Sequence, residues 1–314
     1  MALRARLQRA LREARWRFDP WRLHSRVLAR NDALAALRSH TVAVFNHFDP
    51  DGRVAGYVLH HLDALRALDA RIVFVTTSPQ LSAAALDALR PRCWLVLQRP
   101  NVSLDLGGWP VAAAAVWRLT GQRVAGFQRW LFTNDSIFGP LTPLAPVFAE
   151  MAGRAPDAWG MTESLERQPH LQSYFIVFER PALAFLQRWL DGFRFILERE
   201  ALIARYELGL SVALREAGLR AEAFVPAARL QTVIATVPRR APDKLHAADG
   251  RFLGNPTHWY WRECLQPLGM PYVKRDLLQR RRGLATLTDG WRDQLQASAP
   301  VYPLQLIDEV LPAD

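Results

Sequence analysis

Between residues 41 and 217 the chain alternates two hydrophobic rhythms. Short apolar runs predict strands over residues 41–48, 71–77, 93–98, 129–133, 158–161 and 173–178. The intervening stretches carry apolar residues at helical spacing and predict helices over 54–68, 82–89, 111–119, 141–151, 181–197 and 202–217. Strands and helices alternating at this spacing imply right-handed βαβ units, hence an α/β fold with a mostly parallel central sheet flanked by helices. After Pro226 the pattern weakens, residues 238–254 read as loop, and no internal repeat is present.

The first 30 residues follow a different pattern. Leu3, Leu7, Ala10, Leu11 and Ala14 recur at helical spacing, with Arg4, Arg6, Arg9, Arg12 and Arg15 between them and Trp16, Phe18 and Trp21 after them. A basic amphipathic helix with aromatics lies in a membrane interface, or packs on its own domain with a solvated basic face. The expected organisation is therefore a helical extension over residues 1–38, one α/β domain over 39–282 and a C-terminal tail over 283–314. No apolar run approaches the roughly 20 residues of a membrane span, and the Arg-rich start lacks the apolar centre of a signal peptide. Cys93 and Cys264 are too few for a disulfide framework or a zinc site. A reducing cytoplasm is the expected compartment, with peripheral contact at the membrane's cytoplasmic face if the helix binds lipid. The net charge is +10, and of the 40 basic residues only Lys244 and Lys274 are lysines. That balance favours anionic partners; no nucleic-acid motif accompanies it, so nucleic acid is not an expected partner.

One predicted strand ends abruptly, in Trp130-Leu131-Phe132-Thr133-Asn134-Asp135-Ser136-Ile137-Phe138-Gly139-Pro140-Leu141. Ligands of open α/β sheets collect beyond the carboxyl ends of the strands. The Asp135 carboxylate and the Asn134 amide stand where a phosphate-bound metal would sit, and such oxygen ligands suit Mg²⁺ or Mn²⁺. The competing reading is a β-turn, since Asn, Asp, Ser, Gly and Pro are all turn formers.

Two other loops follow predicted strands. His47-Phe48-Asp49-Pro50-Asp51-Gly52 brings two carboxylates and an imidazole together, a set able to bind a divalent metal. Its spacing resembles the first motif of the DHH phosphoesterases, which implies metal-assisted hydrolysis through His47, Asp49 and Asp51. The Asp-His-His motif those enzymes also need is missing, because His60-His61 follows Leu59. An ordinary turn with a role in ligand contact is the preferred reading, and phosphoester hydrolysis the alternative. The second loop runs from Arg99 through Asn101, Ser103, Leu104 and Asp105 to Gly107-Gly108-Trp109. Arg99 suits phosphate, Asp105 suits a ribose hydroxyl or base edge, and the glycines permit close approach.

Taken in order, these loops, Trp159-Gly160, His170 to Phe175, Tyr206-Glu207 through Ser211, Asn255 to Trp261 and Pro271 to Leu278 together resemble the rhamnan synthesis protein F family of bacterial polysaccharide glycosyltransferases. The resemblance spans roughly residues 41–280. It implies a GT-A-like single domain that moves a sugar, typically rhamnose, from a nucleoside diphosphate donor to a lipid-linked or growing cell-surface glycan, with inversion. Asn134-Asp135 is then similar to the Asp-x-Asp motif that holds metal and diphosphate. Asn in place of a carboxylate implies a weakly held Mg²⁺ or Mn²⁺, partly replaced by Lys274 and Arg275; no organic cofactor is implied. His47, Asp49, Arg99, Asn101 and Asp105 join the donor site. Glu207 resembles the carboxylate that serves as base toward the acceptor hydroxyl, with His170 as rival base or acceptor contact and Glu163 as a third candidate. Ser103 and Leu104 depart from the family, which usually has Gly and an aromatic there.

Overall fold

The computed structural model describes residues 25–35, 40–279 and 285–311. Its strands are β1 (Arg26–Arg30), β2 (Thr41–His47), β3 (Arg71–Thr76), β4 (Leu95–Gln98), β5 (Arg129–Asn134), β6 (Ile137–Phe138), β7 (Ala158–Ser164), β8 (His170–Leu171), β9 (Phe175–Glu179), β10 (Ala221–Val225) and β11 (Val273–Lys274). The main sheet runs β1-β4-β3-β2-β5-β9-β7-β10, with β8 beside β7, while β6 and β11 form a separate pair. β2 to β5 are mutually parallel, as are β7 and β10; β9 runs antiparallel between β5 and β7, and β1 antiparallel to β4.

Alternation along the strands explains why both faces are covered. Ala43, Phe45, Ile72, Phe74, Leu131, Phe175 and Val177 join one apolar cluster. Their neighbours Val42, Val44, Val73, Val75, Trp130, Phe132, Ile176 and Phe178 join the other. A sheet apolar on both faces needs helices on both. The Gly56–Arg66 helix covers the first face with Tyr57, Val58, Leu62 and Leu65, and the Gly108–Thr120 helix covers the second, Trp109 stacking on Phe132 at 4.2 Å.

The expected strands and helices from residue 41 to 217 are present, with informative differences. The helix expected over 141–151 begins at Ala145, with a proline in its first turn, where a missing N–H costs nothing. The helix expected over 181–197 ends at Asp191, and Phe193 leaves it to stack on Tyr206 at 4.0 Å. The helix expected over 202–217 contains a π-helical segment, Ile203–Leu208. β10 was not expected.

Arg26–Arg30 is an edge strand of the sheet and not part of a helical extension; the basic pattern of residues 1–24 lies outside the described residues. The stretch expected as a tail contributes Trp291, Leu295, Tyr302 and Ile307 to the first core cluster, and its Gln305–Asp308 helix packs on the Gly56–Arg66 helix. Among the described residues no helix is long and apolar enough to cross a membrane.

Leu295 is fully buried. Leu295→Ala should therefore cost about 2–5 kcal/mol in urea unfolding, whereas a loss under about 0.5 kcal/mol would mean that this segment only rests on the surface.

Two buried imidazoles give the fold a pH dependence. His61 Nε2 lies 2.9 Å from the Tyr272 hydroxyl, and burial pulls its pKa from 6.5 to about 3; burial pulls His47 down to about 4, against the pull of Asp49. Below pH 6.5 the folded chain binds fewer protons at these two sites than the unfolded chain does, so their contribution to stability is lost as the pH falls toward 4. Asp105, raised from 3.8 to about 6, works in the opposite sense over that narrower window, as does Asp135, which burial also raises. Urea midpoints should fall on acidification from pH 6.5 toward 4; a flat profile would mean that the raised carboxyls offset the two rings.

Candidate active site

Chain segments distant in sequence meet at the carboxyl ends of β2 and β5. β5 ends at Asn134, paired with Asn46 of β2, and the chain turns through Asp135 and Ser136 into β6. The Asn134 side chain fastens the turn: its Oδ1 accepts from the Ser136 N–H at 3.1 Å and from the Ser136 hydroxyl at 2.6 Å. A backbone N–H can only donate, so the amide nitrogen must face the other way. It donates to Asp105 Oδ2 at 2.8 Å.

β11 then pairs antiparallel with β6, Lys274 opposite Ile137 and Val273 opposite Phe138. Flanking bonds extend the pairing, from the Arg275 N–H to the Ser136 carbonyl at 2.9 Å and from the Leu141 N–H to the Pro271 carbonyl at 2.7 Å. Gly139 makes this approach possible. Its φ is +130°, and a Cβ there would lie 2.5 Å from the Pro271 oxygen.

Two cations are thereby set against the turn. Arg275 reaches Asp135 Oδ2 at 3.4 Å and donates to the Tyr57 hydroxyl at 2.6 Å, and that hydroxyl donates to the Asp135 carbonyl at 2.9 Å. The Phe48 N–H donates to the same Asp135 oxygen at 3.1 Å. Burial pushes the Asp135 carboxyl up, opposed by Arg275 and the Phe48 N–H. Lys274 Nζ donates to Ser136 Oγ at 3.2 Å and lies 4.2 Å from the centre of the Tyr174 ring, a cation–π contact. Burial lowers the Lys274 pKa, while Asp276, Glu207 and Asp105 hold its proton on. Asp105 is raised to about 6 by burial and then by Asp135, with Arg99, Lys274 and Arg275 opposing. Beside Asp135 and Arg275 opens a cleft of about 1050 Å³, lined also by His47, Asp49, Tyr57 and the C-terminal Glu309–Leu311 stretch.

The other expected residues divide between this site and the scaffold around it. Arg99 is buried, and its terminal nitrogens donate to the carbonyls of Pro100, Val102 and Leu104. Its guanidinium is spent on shaping the loop and is not offered to a phosphate. Ser103 and Leu104, the departures from the family pattern, both take positive φ, +60° and +43°, where glycine fits without strain. Ser103 compensates: its Oγ accepts from the Ile196 N–H at 2.7 Å and donates to the Ile196 carbonyl at 2.9 Å, tying the Asp105 loop to the chain after the Leu183–Asp191 helix. Asn101 is exposed on the same loop.

His47 lines the cleft, its Nδ1 3.1 Å from Thr76 Oγ1, and its lowered pKa leaves it neutral at neutral pH. Asp49 Oδ1 accepts from the Asp51 and Arg53 N–H groups at 2.9 and 3.0 Å, while exposed Asp51 pairs with Arg53 at 2.8 Å. These are the bonds of a turn, and they favour the turn reading over a phosphoesterase centre.

Glu207 projects from the π-helical segment, an irregularity common at functional sites. One oxygen accepts from the Ser173 N–H and hydroxyl at 3.1 and 3.0 Å, and the carboxylate is near enough to stabilise the Lys274 charge. His170 sits on β8 with Nδ1 2.8 Å from the Gln168 carbonyl. That nitrogen must carry the proton, which leaves Nε2 as the acceptor. Glu163 accepts from the Ala227 N–H at 3.0 Å and so holds the start of the Ala227–Ile234 helix.

The donor set does not suit a divalent ion. Among the described residues no group of three His, Cys, Asp or Glu side chains converges to hold one. Asn134 turns its only oxygen into Ser136, and Arg275 and the Phe48 N–H share the Asp135 oxygen that faces them. The oxygen that Asn134 would lend to the expected metal-ligand pair with Asp135 is thus already held by Ser136.

Tyr57, Ser173 and Tyr174 were not singled out from the sequence. Tyr57 lies on the apolar stripe of its helix and gave no separate signal, whereas Ser173 and Tyr174 stand within the His170-to-Phe175 motif.

A solved putative nucleotide-diphospho-sugar transferase from Desulfovibrio desulfuricans G20 is 16% identical, over 60% of this chain and 80% of that one, with a TM-score of 0.37. A mannosyltransferase from Pyrobaculum calidifontis, solved with GDP-Man and Mn²⁺, is 12% identical over 97% and 85% of the two chains, with a TM-score of 0.38. The galactosyltransferase LgtC, solved with donor and acceptor sugar analogues, is 14% identical over 86% and 100%, with a TM-score of 0.34. No curated protein matches. The model of one family, described as rhamnan synthesis protein F, matches residues 72–244, more than half of the chain and a span that includes the Asp105 loop, the Asn134-Asp135 turn and Glu207. The chain therefore belongs to the rhamnan synthesis protein F family.

Proposed function

We propose that this protein transfers a sugar, rhamnose by its family's name, from a nucleoside diphosphate donor to a hydroxyl of a growing or lipid-linked glycan, with inversion. The observation that carries the proposal is the β6–β11 pairing, which sets Lys274 and Arg275 against the Asn134-Asp135 turn beside a cleft large enough for a sugar nucleotide. The acceptor oxygen attacks the anomeric carbon as the bond from that carbon to the diphosphate breaks. The diphosphate leaves with the electron pair, and Glu207 takes the hydroxyl proton. Lys274 and Arg275 meet the charge that develops on the leaving group, in positions fixed beforehand. Asp135 acts through Arg275, which it aims, and Asp105 acts through Asn134. His47, Asp49 and Asn101 border the donor, and His170 Nε2 accepts a hydrogen bond from the acceptor glycan.

Two substitutions separate these roles. Asp135→Asn removes the charge that aims Arg275 and should weaken nucleoside diphosphate binding by about ten-fold or more, at a stability cost of about 1–3 kcal/mol. The stability cost comes from the contacts that Asp135 makes to Arg275 and to the Phe48 N–H. Unchanged donor affinity in this variant would remove Asp135 from the donor site.

Glu207→Gln should cost about 10² to 10⁴ in transfer rate while sparing donor affinity. His170→Asn should raise the acceptor KM and keep most of the turnover. Initial rates with an acceptor glycan, together with separate donor titrations, check both. Near-normal turnover in Glu207→Gln with loss in His170→Asn would make His170 the base.

A further inference from the structure

The Asn134-Asp135 turn presents cations where an Asp-x-Asp turn would present a metal. Asn134 Oδ1 is locked by the Ser136 N–H and hydroxyl, and the nitrogen it turns outward is no metal ligand. Asp135 spends Oδ2 on Arg275 and on the Phe48 N–H. Lys274 is fastened through Ser136 Oγ and the Tyr174 ring, and Arg275 through Tyr57 and Asp135, so both cations are held before any ligand arrives. A divalent ion placed here would find the Asp135 and Asp105 carboxylates already engaged, by Arg275 and the Phe48 N–H and by Asn134, and two positive neighbours, which repel it.

We propose that Lys274 and Arg275 replace the divalent ion, so that this chain binds the diphosphate of its donor, and stabilises it as a leaving group, without any metal. The inference rests on the glycosyl-transfer reading and makes it more specific. Each cation suits a different part of the task. A guanidinium offers two parallel N–H donors to one phosphate, and an ammonium acts as a compact point charge. Asp135 and Asp105 then serve to orient: Asp135 pairs with Arg275, and Asp105 accepts from Asn134 with its carboxyl raised toward the neutral form.

The test is calorimetric titration of the full chain with dTDP, UDP and GDP, once in EDTA and once with added Mn²⁺. At least one nucleoside diphosphate should bind with an affinity that differs by less than about two-fold between the two conditions. Lys274→Met should weaken that binding by about ten-fold or more in both, the loss expected for one charge-assisted contact. Arg275→Gln provides the same reading if the Lys274 variant fails a thermal-melt check of folding. A wild type that loses affinity about ten-fold or more in EDTA and regains it with Mn²⁺ would overturn the inference and leave glycosyl transfer standing. So would either folded variant binding as the wild type does. Absence of binding by all three diphosphates in both conditions would overturn the glycosyl-transfer reading, and the inference with it.

Discussion

The site depends on one short pairing, between β6 and β11, across more than a hundred residues of intervening chain. Two residues on each strand, extended by a bond on either side, fix where the Lys274-Arg275 dipeptide lies. β6 cannot leave the sheet end, because β5 runs directly into the Asn134-Asp135-Ser136 turn, and that turn is closed by its own side chain. β11 cannot drift, because Tyr272 is buried against His61 and Phe175 in the core. The geometry of Lys274 and Arg275 is thus anchored on both sides, by a polar turn and by an apolar core.

The electrostatic arrangement follows from that anchoring. Five ionisable groups, Asp105, Asp135, Glu207, Lys274 and Arg275, influence one another within one partly dry volume. Burial disfavours the charges of Asp105, Asp135, Lys274 and Arg275, so these groups are stable only as a network in which each has an opposite partner or a hydrogen bond. The carboxylates that hold Lys274 and Arg275 repel an incoming dianion, but they keep both cations in place before the ligand binds. Pre-fixed charges of this kind stabilise a developing negative charge without reorganising at the moment of reaction.

Much of this was legible in the sequence. The strand-helix alternation to residue 217 predicted the parallel sheet, and the abrupt strand end at Asn134 pointed to the turn after β5 as the candidate site, because period and turn chemistry are local signals. The sequence also suggested Lys274 and Arg275 as diphosphate cations. What it lacked was orientation. Arg99 resembles a phosphate ligand in the sequence, yet its guanidinium holds three carbonyls of its own loop. The Asn134 amide is as consistent with a metal ligand as with a turn lock until Ser136 is seen to take its oxygen. The edge strand Arg26–Arg30 carries little apolar alternation because edge strands are only half covered, and β10 is short; neither announces itself without its partner strand. The C-terminal stretch hides its role for a similar reason: its apolar residues are sparse, and only the Gly56–Arg66 helix shows them where to pack.

The most direct test of the proposed site is a crystal structure of the chain with a bound nucleoside diphosphate. The terminal phosphate should lie beside Asp135, with its oxygens about 3 Å from Lys274 Nζ and from the Arg275 guanidinium, and the nucleoside should run into the cleft past His47 and Asp49. A diphosphate bound elsewhere, or one in the cleft that touches neither cation, would contradict the assignment.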